Sequence, residues 1–328
     1  MSRQMKAVLQ TKYGSPEVLK FVEVDKPFPK ADQILIKVQA VGLNMADWRL
    51  LTGNPFFIRL MGLGKGKIPG SDMAGKVLSI GQDVTQFRPG DEVYGDIFSF
   101  GSGAFAEYVC VPEKAVAMKP SNLSFEQAAA VPMAAITALQ GLRDLGKIRP
   151  AQKVLIYGAT GGVGTFAVQI AKAFGAEITA VCSTGKMELV RSLGADYVVD
   201  YTREDFTQNG QSYDLILAAN GHRSIWKYRR ALAPQGVYVM AGGSMRQIFQ
   251  ALLLGPLLSR KSGRRLAALT AKANQQDLLT MNDLIEAGKV TPVIDCTYPF
   301  SEIREALRYL GQGHARGKVI IRMAEKPA

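Results

Sequence analysis

Along the first third of the chain apolar and polar positions take turns. Ile34, Ile36 and Val38 are separated by polar Lys37 and followed by Gln39, the period of a half-buried strand. Turn-forming clusters recur at Tyr13-Gly14-Ser15-Pro16, Lys26-Pro27-Phe28-Pro29, Ile68-Pro69-Gly70, Arg88-Pro89-Gly90-Asp91 and Lys119-Pro120. From Ala7 to about Ser121 the pattern predicts short strands joined by turns, without helices, in a small barrel-like all-β domain. At Ser124 the pattern changes. Ser124-Phe125-Glu126-Gln127 has the form of a capping box, with Gln127 reaching back to the N-cap. An apolar helix should run from there through Ala128 and Val131, as the bridge to a second domain.

That second domain opens on the apolar run Val154-Leu155-Ile156-Tyr157, a glycine-rich turn from Gly158 to Gly164, and a helical pattern carried by Val163, Phe166, Ala167, Ile170, Ala171 and Phe174. A strand, Ile178 to Cys182, follows and ends at Ser183-Thr184-Gly185-Lys186. Strand candidates Tyr197 to Val199, Tyr213 to Ala219 and Gly236 to Ala241 then alternate with helical stretches near Lys186 to Ser192 and Ser224 to Leu232. This alternation predicts a Rossmann-type, doubly wound parallel sheet, so the fold class is α/β. Pro299 to Leu310 reads as a helix capped by Ser301, with Glu302 and Glu305 in its early turns, and the strand Val319 to Arg322 comes last.

The turn after the first of these strands carries the chemistry. Ala159, Thr160, Gly161, Gly162, Val163 and Gly164 follow a strand and open a helix, where exposed N–H groups and the helix dipole bind a pyrophosphate. Ala159 stands where the dinucleotide fingerprint usually has its first glycine, so the motif is imperfect, and a purely structural glycine-rich turn is the bland alternative. At the end of the second strand, about 20 residues on, the residue that reads the ribose is expected. Ser183, Thr184 and Lys186 stand there, with no acidic residue among them. Hydroxyls and an ammonium pair with a 2′-phosphate that a carboxylate would repel, which points to NADPH.

Composition narrows the choice of chemistry. A chain of 328 residues can bury a substantial core and hold two domains. Cys110, Cys182 and Cys296 are far apart and lack CxxC spacing, which supports neither a disulfide framework nor a cysteine zinc lobe and implies a reducing, cytoplasmic setting. With only His222 and His314, histidine-based metal sites are hard to build. The N-terminus, Met1 to Leu9, enters strand pattern without a signal-peptide core. The longest apolar run, Ile248 to Leu258, is broken by Gln250, Gly255 and Pro256 and falls short of the roughly 20 residues that span a bilayer. The net charge of +12 calls for anionic partners, with local clusters at Lys227-Tyr228-Arg229-Arg230 and Arg260-Lys261-Ser262-Gly263-Arg264-Arg265. A solvated basic surface that attracts a charged cofactor is preferred to a nucleic-acid groove. Weak membrane-surface association is a middle case, because Leu252 to Leu258 adjoins the second cluster.

Further motifs run through the chain in a fixed order: Val41-Gly42-Leu43-Asn44-Met45-Ala46-Asp47-Trp48-Arg49, Ile68-Pro69-Gly70-Ser71-Asp72-Met73-Ala74-Gly75, Arg88-Pro89-Gly90-Asp91-Glu92-Val93-Tyr94-Gly95, Ser192-Leu193-Gly194-Ala195-Asp196 and His314-Ala315-Arg316-Gly317-Lys318-Val319. With these the whole chain resembles the zinc-free medium-chain dehydrogenase/reductase superfamily, of the NADPH:quinone oxidoreductase type that includes zeta-crystallin. The resemblance implies a GroES-like β-barrel domain, residues 1–124 with 292–328, and a Rossmann NADP-binding domain, residues 125–291. It places the active site in the cleft between them and makes a homodimer the expected assembly. Where zinc alcohol dehydrogenases carry catalytic ligands this sequence has Asn44, Ser71 with Asp72, and the region of Met133. An amide, a hydroxyl and a thioether do not make the usual Cys/His site, and the four-cysteine lobe is replaced by the short loop Asp96 to Gly103. No zinc is expected.

Without a Lewis acid, oxidation of an unactivated alcohol is difficult, whereas hydride delivery from NADPH to an electron-poor acceptor needs less help. The expected activity is therefore reduction of a quinone or an α,β-unsaturated carbonyl, an enone or enal. Asn44 is the candidate donor to the acceptor oxygen, or else a support for its loop or the nicotinamide ribose. Asp47 is read as an orienting carboxylate, and Tyr94 competes with bulk water as proton source. The resemblance further implies that Thr137 contacts cofactor near the nicotinamide or phosphate. Tyr201 is expected to complete the 2′-phosphate pocket with Ser183 and Lys186, the alternatives being a packing aromatic and a solvated lysine. Backbone groups of Ala241, Gly242 and Gly243 are expected to meet the carboxamide. Trp48, Phe56, Phe57 and the insertion Met245 to Leu258 either line an acceptor pocket or are core or a dimer face. The rival function is an NADPH-binding protein acting at a membrane or with RNA, with weak catalysis; the absence of an aromatic RNP pattern counts against sequence-specific RNA recognition.

Overall fold

Alternating positions along Gln33–Leu43 build the longest strand of the first sheet, because Ile34, Ile36 and Val38 are all buried while Lys37 is exposed. The computed structural model describes residues 3–260 and 263–323; Met1, Ser2, Lys261 and Ser262, named above, lie outside the described residues, as do the side chains of Met245 and Arg260. In chain order the first strands are β1 (Gln4–Gln10), β2 (Leu19–Asp25), β3 (Gln33–Leu43), β4 (Asp72–Ile80), β5 (Glu92–Asp96), β6 (Tyr108–Pro112) and β7 (Ala117–Met118). Then come β8 (Lys153–Tyr157), β9 (Glu177–Cys182), β10 (Tyr197–Asp200), β11 (Tyr213–Ala218), β12 (Leu232–Met240), β13 (Arg265–Ala268), β14 (Ile294–Pro299) and β15 (Lys318–Arg322).

The chain forms two compact units. The first runs to Met133 and is completed by Ala273–Glu286 and by the chain from Pro292 onward. Its main sheet has the order β14-β15-β3-β4-β5-β7, with β6 also paired to β3, and β1 with β2 forms a separate antiparallel pair. Val41, Leu43, Met73, Val93, Phe105, Val319 and Ile321 fill one continuous core there. Two features depart from the expectation of strands alone. Helices Met45–Thr52 and Phe57–Leu60 interrupt the strand pattern, the first ended by Gly53 in the left-handed conformation at φ 63°.

The second departure concerns the capped helix. Ser124 and Gln127 do bond reciprocally, at 3.0 and 3.2 Å, but the helix stops at Ala129. Pro132 cannot extend it and starts a second helix, Pro132–Leu139, which passes into a π-helical turn at Gln140–Leu145. The short Phe125–Ala129 helix belongs with the first unit, where Arg322 Nε donates to Glu126 Oε1 at 2.7 Å. Helix Gln275–Glu286 belongs there too, tied by Gln275 Nε2 to the Val116 carbonyl at 2.8 Å and by Asn282 Nδ2 to the Met118 carbonyl at 3.0 Å. The unit boundaries thus differ from 124/125 and 291/292. Near the C-terminus the helix is Ile303–Gly311 and follows a 3-10 turn at Phe300–Glu302, so Ser301 lies inside that turn and is not the cap.

The second unit, Ala134–Lys272 with Ala287–Thr291, holds a six-stranded parallel sheet of order β10-β9-β8-β11-β12-β13. The direction of winding reverses between β8 and β11, which makes their C-terminal ends the switch point where such sheets bind ligands. Val154 and Ile156 are fully buried on one side of β8 while Leu155 and Tyr157 join the core on the other, so both faces are covered.

Candidate active site and cofactor turn

In the second unit, β8 ends at Gly158, whose φ of 79° turns the chain toward helix Gly162–Ala173. Gly164 is required by close packing: a Cβ there would lie 2.1 Å from the Gly158 carbonyl oxygen and 2.7 Å from Ala159. Ala159, at the fingerprint's first glycine position, is fully buried beneath this contact and spends its N–H on the Val181 carbonyl at 3.2 Å. It is a packing residue and not an anion donor. Gly161 is the N-cap in extended backbone, and a Cβ there meets nothing nearer than 3.8 Å, which leaves the approach open. The N–H groups of Gly162, Val163 and Gly164 lie in the first helical turn, where the helix itself offers them no acceptor, beside the buried Thr160.

The ends of β9 and β10 meet next to this turn. Tyr201 N–H donates to the Cys182 carbonyl at 3.1 Å, next to Ser183 in the chain, and the exposed Tyr201 ring lies 6.4 Å from the Tyr157 ring. Ser183 caps the 3-10 turn Thr184–Lys186, its carbonyl accepting from Lys186 N–H at 3.0 Å. Thr184 has another employment: its hydroxyl donates to Asp200 Oδ2. Asp200, the last residue of β10, is an acidic neighbour that the sequence pattern does not reveal. Its carboxylate is held below the ordinary range by hydrogen bonds from Thr184 and Thr202, with Arg203 at 3.6 Å. Thr137 is buried within Pro132–Leu139. At the end of β12 the N–H groups of Ala241 and Gly242 both donate to the Ala218 carbonyl, at 3.0 and 3.1 Å, and are therefore already satisfied inside the protein. Gly243 bridges to Gly221, where a Cβ would meet the Gly221 carbonyl oxygen at 2.3 Å.

In the first unit Asn44 and the Met133 backbone do come together around one carboxylate, Asp72, while Ser71 Oγ makes no hydrogen bond. Asp72 is wholly buried and accepts from Met133 N–H at 3.0 Å, Asn44 Nδ2 at 2.9 Å and the Lys318 ammonium at 3.2 Å. Lys318, only 2 % exposed, also donates to Asn44 Oδ1 at 2.5 Å. Asn44 Nδ2 further reaches the Gly42 carbonyl at 3.4 Å, so its amide is engaged on both sides. Asn44 N–H donates to Asp47 Oδ2 at 2.8 Å, capping helix Met45–Thr52. Lys318 is the residue that sequence reasoning missed; the available signal was a lone charge at the start of the apolar run Val319 to Ile321.

Three buried carboxyls share this one ammonium. Asp96 sits directly opposite Asp72 in the β4–β5 register and accepts from Phe98 N–H at 2.9 Å. Burial pushes Asp47 up to about 7, aided by the charge of Asp72 and opposed by the Asn44 N–H. Asp96 is pushed up to about 7 by burial and then by Asp72. Burial raises Asp72 too, against the pull of Lys318 first and then Asn44. Asp47 Oδ1 and Ser71 Oγ are buried without a hydrogen-bond partner.

This donor set does not fit a catalytic zinc. A fixed ammonium already compensates Asp72, the Asn44 amide points donors at that carboxylate, and Met133 contributes its backbone. Among the described residues no three His, Cys, Asp or Glu side chains are grouped to hold a metal ion. Tyr94 is also reassigned. It is fully buried and its hydroxyl donates to Asn282 Oδ1 at 2.6 Å and the Leu278 carbonyl at 3.1 Å, an anchor for helix Gln275–Glu286, not a proton source. Trp48 packs on Gly311 in the first unit's core, while Phe56 and Phe57 are exposed.

Residues 30–121 match the alcohol dehydrogenase GroES-like domain, and residues 193–321 match the zinc-binding dehydrogenase family. The chain is 39% identical to the 2-methylene-furan-3-one reductase of Solanum lycopersicum over 97% of its own length and 79% of that protein. It is 34% identical to the chloroplastic NADPH-dependent alkenal/one oxidoreductase of Arabidopsis thaliana, over 97% of this chain and 80% of that one. The structure of the quinone oxidoreductase from Coxiella burnetii superposes with a TM-score of 0.88 at 30% identity, covering 98% of this chain and 100% of the other.

Proposed function

We propose that this chain, which belongs to the quinone-oxidoreductase type of the medium-chain dehydrogenase/reductase superfamily, reduces quinones or α,β-unsaturated carbonyls with NADPH. The family binds a nicotinamide cofactor. When bound, the reduced nicotinamide supplies a hydride. The chain's part begins with holding the pyrophosphate on the first-turn N–H groups of Gly162, Val163 and Gly164. Ser183 and Lys186 face the 2′-phosphate with Tyr201 beside them, while Asp200 is kept occupied by Thr184, Thr202 and Arg203. The observation that carries the choice of acceptor is the Lys318–Asp72–Asn44 network. It leaves no Lewis acid to ionise an alcohol, and a conjugated carbonyl accepts hydride without one. Because the Tyr94 hydroxyl is buried and spent on Asn282 and Leu278, the reduced acceptor takes its proton from water, and the Asn44 amide, engaged with Asp72 and Lys318, is not the donor to its oxygen.

The cofactor assignment is tested by fluorescence titration of NADPH and NADH into the native chain and Lys186→Ala. The expected result is a rise in NADPH Kd of about tenfold or more with NADH little changed, the signature of one lost charge-assisted contact. Equal affinities for the two nucleotides in both proteins would remove NADPH from the proposal.

A further inference from the structure

The segment after Ser244 is apolar on both of its faces. Residues 245–260 run without a break through helix Met245–Phe249, a π-helical stretch Gln250–Leu254 and helix Gly255–Arg260. One face packs on its own unit: Ala251 and Gly255 are buried, Ile248, Leu254 and Leu258 join the core, and Ser259 Oγ accepts from Leu266 N–H of β13 at 2.9 Å. Among the described side chains of this segment the outward positions are Phe249, Leu252, Leu253, Pro256 and Leu257, spaced as a helical stripe. Phe249 is 53% exposed, Leu252 54%, Leu253 67% and Leu257 59%. A surface helix ordinarily turns polar side chains outward, so this stripe requires a partner.

Charge identifies the partner. Between Leu215 and Gln276 the sequence has ten of the chain's 40 Lys and Arg residues and none of its 28 Asp and Glu, leaving the rest of the chain at 30 cationic to 28 anionic side chains. Nearly all of the +12 net charge therefore lies in the stretch of sequence that contains the stripe, although Lys227 is paired with Asp205 outside it. Ile225 N–H donates to Gln250 Oε1 at 3.2 Å, which brings helix Ile225–Ala231 alongside, with exposed Trp226 and Arg230 and with Arg229 over the Trp226 ring. Exposed Arg265 stands on β13, the strand against which Gly255 packs. Aliphatic side chains and a tryptophan flanked by arginines match an interface with acyl chains below and anionic headgroups above. A second copy of the chain would set this cationic segment against itself. Nucleic acid would leave the leucines without a counterpart. No described helix is long and apolar enough to cross a membrane, so the segment would lie in the plane of the surface.

We infer that residues 245–260, with Arg265 alongside, dock the protein on an anionic lipid surface, with Phe249, Leu252, Leu253 and Leu257 entering the headgroup boundary. The inference is independent of the reductase reading, and NADPH affinity serves as a control for folding. The test is flotation of the full chain with vesicles of phosphatidylcholine alone or mixed with phosphatidylglycerol, at low and high salt. Native protein is expected to float with the mixed vesicles only and to be released by salt. Leu253→Glu with Leu257→Glu, and separately Arg230→Glu with Arg265→Glu, should each weaken flotation about tenfold or more while NADPH affinity holds. No flotation at low salt would overturn the inference. So would flotation that the leucine variants leave intact, or leucine variants that only dissociate a dimer. Displacement from vesicles by RNA, with the leucines without effect, would identify a nucleic-acid surface instead.

Discussion

Lys318 and Asp72 are 246 residues apart in sequence and 3.2 Å apart in space, both sealed from water. Removing the ammonium leaves a buried carboxylate without its counter-charge, so Lys318→Met should cost about 3–5 kcal/mol in denaturant unfolding. Asp72→Asn in the same chain should recover part of that loss. Asn44→Ala should cost less, about 1–3 kcal/mol, and leave kcat within about tenfold at a permissive temperature, because the amide serves the network. A much larger loss of kcat at intact stability would return Asn44 to the role of acceptor donor. The raised carboxyls give a pH signature. Asp47 and Asp96 titrate near 7 folded against an ordinary 3.8, so between these values the folded chain holds more protons than the unfolded one. Their contribution to stability is therefore lost as pH rises through about 7, and Tm should fall between about pH 5 and pH 8, less steeply in Asp47→Asn. At this scale the sequence showed Asn44, Ser71, Asp72 and Met133 as a set by resemblance, but the cation that joins Asn44 to Asp72 comes from the last strand, where a lone charge before an apolar run says nothing of its partners.

Single elements were legible where local rules determine them. The Ser124 capping box formed as spelled, and Ser124→Ala should cost about 1 kcal/mol in thermal or chemical unfolding. Its helix nevertheless ended early, because Pro132 overrides an otherwise apolar run. Helix Met45–Thr52 was missed although Asn44, Asp47 and Gly53 mark its start and stop; the strand rhythm on either side masked them. The glycine-rich turn formed where the pattern put it, between β8 and helix Gly162–Ala173. Its tight bend falls at Gly158 while Ala159 packs and donates to Val181, so the missing glycine does not disturb the turn. Gly164→Val should abolish NADPH binding in the fluorescence titration, since the added atoms fall on the Gly158 carbonyl.

Across the whole molecule, the alternation of strands and helices after Lys153 carried the doubly wound sheet, since period-2 and period-3.6 patterns survive without knowledge of partners. Unit boundaries did not survive as well. Helices Phe125–Ala129 and Gln275–Glu286 join the first unit through Glu126, Tyr94, Val116 and Met118, contacts that depend on side chains distant in sequence. Function was legible through what the motif positions lack. A carboxylate already satisfied by lysine, amide and backbone cannot hold a catalytic metal, which directs the chemistry to acceptors activated by their own conjugation. The most direct measurement is NADPH oxidation by the purified chain across a panel of quinones, enones and enals, with and without a chelator. Turnover with at least one conjugated acceptor, faster with NADPH than NADH and indifferent to chelator, is predicted. Failure with every conjugated acceptor, together with chelator-sensitive oxidation of a simple alcohol, would contradict it.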